Sequence, residues 1–483
     1  MFDALFTTTT EYQKLSHALS GKGACALFGL PASGRAQVYA ALCRQLDKPL
    51  CIVTPGEAEA TRFAADLNTL GIPAAVFPAR DYVLRPIEGT AREYEYRRLA
   101  VLGELVGGRL RAVAVPAEAL TQFTTPKEDF CANTRTLHTG DTLLRDDLLA
   151  ALFGAGYTRR AQVDGPGQFS VRGDIVDIFA PDQKMPVRME FWGDEIDTLH
   201  TFDLTTQRRE DAIDKFYLSP AREVLFGKPA DAAEQLRAFL AKQRGKKKTA
   251  MADCVAADLD LLDGGAVPVN MDKYLAVRYP HPATVLDYFD DPILVAEEPA
   301  SIREADRATA YRRGEELKSL ILDGVLCAGL DNLYADPSYL WSKTGHYRTI
   351  CAENFARSMP DQPLKDIINA PAHTLPAWNG EVAGLLEDLK PLCDAGYTVT
   401  LLAGTDRAAA GLARDLRDKG ILVTTDAAAA PAAGLVQVLA GHLSAGCEFP
   451  FAKYALLTGR AFGETSSQKK KRKKAKDALN SLT

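Results

Sequence analysis

A chain of 483 residues exceeds what one hydrophobic core organises and points to three or four domains. With 47% hydrophobic and 25% charged residues it reads as an ordinary globular protein, and no apolar run reaches the ~18 residues of a membrane span. The net charge of −6 offers no broad basic surface for sequence-independent DNA binding, and nine scattered cysteines without a CxxC pair argue against disulfides and zinc.

The opening stretch, MFDALFTTTTEYQKL, lacks the basic and apolar segments of a signal peptide, which predicts a cytoplasmic chain. Through about residue 115, strand-like and helix-like patterns alternate as in a doubly wound α/β layer. ACALFGL at 24–30 is an apolar strand and AQVYAALCRQL at 36–46 has helical spacing. PLCIVTP at 49–55 and AAVFPA at 74–79 are two more strands, separated by a helix in EAEATRFAADLNTL, and RAVAVPAEAL at 111–120 supplies a fourth. From about 136 to 215 the pattern changes to short alternating strands and turns, predicting a small inserted α+β domain. Helices return over about 216–340, with a lysine-rich turn at 246–248 and a buried strand, ILVAEEP, at 293–299. A second α/β unit follows, with TVTLLAG at 398–404, a helix near 406–418 and ILVTT at 421–425. The segment Lys469–Lys476 is Lys or Arg at every position but one. Such a run is read as a solvated linker or as a weak nucleic-acid contact.

Two constellations bear on chemistry. Gly29-Leu30-Pro31-Ala32-Ser33-Gly34-Arg35-Ala36 lies between a strand and a helix with the glycine spacing of a phosphate-binding loop. That loop needs a lysine for the β/γ-phosphates and a hydroxyl for Mg²⁺; Arg35 and Ala36 stand there instead. Glu297-Glu298 ends an apolar strand where an Asp-Glu pair would be expected, so the site reads as a decayed ATPase, with no catalytic residue and no metal or nucleotide cofactor. Seven scattered histidines give no ligand spacing either. The second constellation is a strand, MPVRMEFW, that puts Met185, Val187, Met189 and Phe191 on one face and Arg188, Glu190 and Trp192 on the other. QFSVRGD likewise leaves Arg172 on a polar side. Were the two strands neighbours, Arg172, Arg188 and Trp192 would form one outward patch of the residue types enriched in interface hot spots. The alternative is that Trp192 packs under a loop while the arginines pair with acids such as Glu190 or Asp194.

GQFSVRGDIVDIFAP followed by MPVRMEFWGDEIDTLHTFDLTTQR resembles the domain shared by the excision-repair protein UvrB and the transcription-repair coupling factors (Mfd), which docks onto UvrA in both families. The order of the degenerate loop, VTPGEAEATRFAADL, FPARDY and REYEYRRLAVLGEL resembles the coupling factors, as does the basic linker. UvrB differs in keeping an intact loop, in inserting a long hairpin after the equivalent of Asp81-Tyr82, and in continuing into working helicase motifs. A UvrB-like ATPase loading on damaged DNA is therefore the second reading. The resemblance implies a degenerate P-loop, helicase-like α/β domain (1–125 and 215–345). It further implies an inserted UvrA-binding domain (126–214), a small α/β domain (346–464) and a basic linker (465–483). It implies UvrA contacts at Arg172, Arg188 and Trp192, the last being phenylalanine in many relatives. RNA polymerase, double-stranded DNA, ATP and Mg would belong to polymerase-binding and translocase domains that this chain does not contain.

Overall fold

A computed structural model describes residues 5, 7–87, 92–243, 246–355, 363–378 and 382–459. The basic segment Lys469–Lys476 and the rest of the expected linker lie outside the described residues. No helix among the described residues is long and apolar enough to cross a membrane.

Strands β1 (Gly23–Phe28), β2 (Leu50–Thr54), β3 (Ala74–Val76) and β4 (Ala112–Pro116) alternate with helices Ala32–Leu46, Glu57–Thr69 and Glu93–Val106. Residues 24–28 of β1 and all of β2 and β4 are buried, as strands need to be when helices cover both faces of a sheet.

The chain then leaves this layer. Strand β5 (Arg135–His138) and helix Arg145–Gly154 lead into β6 (Thr158–Arg159), β7 (Gln168–Arg172), β8 (Ile175–Phe179), β9 (Val187–Trp192), β10 (Glu195–Phe202), β11 (Arg209–Ala212) and β12 (Lys215–Leu218). Strands β6–β11 form a six-stranded sheet in the order β11-β10-β9-β8-β7-β6, antiparallel except at β6/β7. Its inner face, with Phe169, Ile178, Met189, Phe191 and Leu199, packs on Leu148 and Leu152 of the helix. Strands β5 and β12 pair antiparallel, with Arg135 opposite Leu218, so entry and exit of the insertion lie side by side and the unit runs past residue 214.

Strands β13 (Ile293–Glu297), β14 (Arg348–Glu353) and β15 (Leu364–Asn369) return to the first layer. They complete a seven-stranded, all-parallel sheet in the order β15-β1-β14-β13-β2-β4-β3. β14 slots between β1 and β13 and β15 flanks β1, so the first layer runs to Asn369, well past the expected start of the next domain at 346. The buried run of β14, TICAE, carries no local mark of which sheet it joins. The return is secured by buried ion pairs: Arg98 Nε to Glu223 Oε1 at 2.5 Å and Arg80 Nη1 to Asp272 Oδ2 at 2.7 Å, all four side chains being buried. The lysines at 246–248 open a helix, Lys246–Asp263, rather than form a turn.

The last unit contains β16 (His373–Leu375), β17 (Thr398–Leu402), β18 (Val423–Thr424), β19 (Val436–Leu439), β20 (Gly446–Phe449) and β21 (Tyr454–Thr458), ordered β16-β20-β21-β17-β19-β18. Cys447 and Phe449 of β20 join the same core as helix Ala32–Leu46. The Ser444 amide and hydroxyl donate to Asp66 at 2.8 and 2.6 Å, which docks this unit on the first.

A closed nucleotide loop and an exposed arginine–tryptophan face

The loop after β1 has the backbone of a phosphate cradle. Gly29 has φ +88, and a Cβ there would come 3.0 Å from Asn369 Oδ1, so only glycine fits. Helix Ala32–Leu46 starts on Pro31, which gives no side-chain cap and has no N–H to offer an anion. Arg35, 3% exposed, turns inward: its Nε lies 2.9 Å from Glu297 Oε2 and its Nη2 is 3.0 Å from Glu298 Oε1. The Tyr39 hydroxyl donates to Glu297 Oε1 at 2.5 Å. Burial works against the Arg35 cation, yet the two glutamates hold its pKa above the ordinary value. Burial also pushes the Glu297 carboxyl up, and Arg35 only partly offsets that. The two decayed motifs, read separately in the sequence, are thus brought together as ion pairs. Ala36 is buried in the apolar core, where a magnesium-binding hydroxyl would find no solvent. Beneath the helix start, a Cβ on Gly34 would meet Cys447 Sγ at 2.9 Å. These residues do not fit a Mg-nucleotide: the basic side chain is committed to carboxylates and the ligating hydroxyl is absent.

The second constellation lies on the outer face of the inserted sheet. β7 and β9 are not neighbours, because β8 runs between them, with Ser170 and Arg188 both opposite Asp177. Alternation nevertheless puts Arg172, Asp177, Arg188, Glu190 and Trp192 on one face. Trp192 is 81% exposed, so it does not pack under a loop. The arginines pair with Asp177 rather than with Glu190 or Asp194. Arg172 Nη2 donates to Asp177 Oδ2 at 2.7 Å; Arg188 donates through Nε to Oδ1 at 2.7 Å and through Nη2 to Oδ2 at 2.9 Å. Asp177 is fully buried, Arg188 is 12% exposed and Arg172 49%. Arg188 spends its remaining nitrogen on the Gln207 carbonyl at 3.2 Å and stacks 4.8 Å from the centre of the Phe202 ring. Its bonds to Asp177 raise its pKa further. Glu190 pairs with Arg209. The sequence reading missed Asp177, although an acid inside the apolar run IVDIF is a legible signal of a buried ion pair.

Residues 136–224 match the family model of the UvrB interaction domain, so the inserted unit is a domain of that class. Over nearly its whole length the chain is in turn similar to transcription-repair-coupling factors. It is 26% identical over 459 residues to the one from Bacillus subtilis (strain 168), covering 92% of this chain and 39% of the relative. For Staphylococcus haemolyticus (strain JCSC1435) the identity is 25% over 465 residues, covering 94% and 39%. For Staphylococcus aureus (strain MRSA252) it is 23% over 485 residues, covering 99% and 41%. The chain therefore spans about two fifths of the length of these relatives.

Proposed function

We propose that this chain is a UvrA-recruiting module of a transcription-repair coupling factor, linking stalled RNA polymerase to nucleotide excision repair in the cytoplasm. The observation that carries the reading is the Trp192 side chain, 81% exposed, on the same sheet face as Arg172 and Arg188 within the UvrB interaction domain. A bare tryptophan costs solubility, and its burial in a partner's pocket beside paired arginines is the usual make-up of an interface hot spot. Contacts with RNA polymerase and double-stranded DNA, and ATP-driven movement, belong in this reading to parts of the relatives that the chain does not span. Within the chain, the Arg35–Glu297 pair argues against nucleotide hydrolysis and so against a UvrB-like ATPase. Lys469–Lys476 would add at most a weak, salt-sensitive nucleic-acid contact.

Calorimetric titration with purified UvrA tests the proposal. Wild type should bind, and Arg172→Ala combined with Trp192→Ala should weaken binding by roughly a hundredfold if both are hot spots. An unchanged dissociation constant for that variant rejects the assignment.

A further inference from the structure

The two arginines of the exposed face are built differently. Arg188 has all three nitrogens engaged inside the domain, two on Asp177 and one on the Gln207 carbonyl, and its guanidinium carbon lies over the Phe202 ring. At 12% exposure it has little surface to offer a partner. Arg172 is 49% exposed and, among the described residues, reaches Asp177 through one nitrogen only, so much of its guanidinium faces outward. Asp177 sits beneath both. Its Oδ2 accepts from both arginines, so Arg188 fixes the carboxylate and the carboxylate fixes Arg172.

We infer that Asp177 and Arg188 are positioning residues, and that the partner is gripped by Arg172 and Trp192. The inference rests on the UvrA-recruiting reading and deepens it. A long arginine side chain loses much rotamer freedom when it binds; an interior carboxylate that holds it beforehand removes part of that cost. The accessible guanidinium edge then fits a carboxylate on the partner surface, next to an apolar pocket for the indole. Removing Arg188 alone would weaken binding without Arg188 touching the partner, since it frees the carboxylate that orients Arg172.

Two measurements on the full chain with UvrA test this. The first uses the unaltered protein: phenylglyoxal, which reacts with accessible guanidinium groups, followed by peptide mass spectrometry. Arg172 should be modified in the free chain and protected by UvrA, while Arg188 stays unreactive in both states. An Arg188 that reacts as readily as Arg172 and is protected by UvrA overturns the inference. The second uses Asp177→Asn/Arg188→Met, which removes one charge of each sign and leaves the interior neutral. Its dissociation should quicken roughly tenfold, while the association rate and its salt dependence stay those of wild type. Arg172→Ala should flatten that salt dependence, and should cost less in the double-variant background than in wild type, because its support is already gone. Full additivity, or wild-type binding by the double variant while Arg172→Ala is weak, overturns the positioning role and leaves UvrA recruitment standing. No binding by wild type instead removes the recruitment reading itself.

Discussion

Replacing Arg35 with methionine removes the cation from a carboxylate that has no water to turn to. Glu297 is 2% exposed and would keep only the Tyr39 hydroxyl. Leaving one member of a buried pair uncompensated costs about 3–5 kcal/mol. A second route gives a similar figure. The abandoned carboxyl can escape by taking up a proton, and from its ordinary value of 4.5 this costs roughly 3.4 kcal/mol at pH 7, at about 1.4 kcal/mol per pH unit. The cheaper escape sets the loss, so Arg35→Met should be destabilised by about 3 kcal/mol at pH 7 and by under about 1 kcal/mol at pH 5. The sign follows from the raised pKa of Glu297: a carboxyl held above its unfolded value contributes stability at low pH and loses it as pH rises. Arg35→Met/Glu297→Gln, which removes both charges, should return to within about 1–2 kcal/mol of wild type. Urea unfolding at pH 5 and 7, with hydrogen exchange on the β1 and β13 amides to localise the effect, measures all three. A deficit for Arg35→Met that is equal at both pH values, or a double variant as unstable as the sum of its singles, would refute the reasoning.

Two more outcomes follow from buried groups elsewhere. Burial pushes the Asp306 carboxyl up to about 6, against the pull of Arg313, in a cavity of about 180 Å³ lined also by Thr121, Thr309 and Tyr334. Its contribution to stability is present below pH 3.8 and is lost as pH rises through about 6. Asp306→Asn should therefore gain on wild type in thermal melts between pH 4 and 7, and a difference that stays constant across that range contradicts this account. Gly34→Val places a branched side chain against Cys447 and Phe449 and should cost about 1–3 kcal/mol by overpacking the junction with the last unit. A melting temperature equal to that of wild type would mean that this junction yields freely.

The periodicity of the chain was enough to place β1, β2, β4, β13 and β17 and the helices Ala32–Leu46, Glu57–Thr69 and Asp406–Asp418, because strands buried on both faces are written as continuous apolar runs and helices show their own spacing. It also settled which residues share a face: strict alternation assigned Arg188, Glu190 and Trp192 to the side opposite Met189 and Phe191, whatever strands lay beside them. The loss of lysine and hydroxyl at Arg35 and Ala36 was legible residue by residue. Pairing partners were not. β8 enters between β7 and β9, and β14 between β1 and β13, because strand order is chosen by contacts far apart in sequence that no local window records. The same holds for charge. That Arg35 closes on Glu297, 262 positions away, and that Arg172 and Arg188 share Asp177 rather than Glu190 or Asp194, depends on which side chains the folded core deprives of water. Once buried, each charge must find the nearest counter-charge in three dimensions, and only the tertiary structure decides which that is.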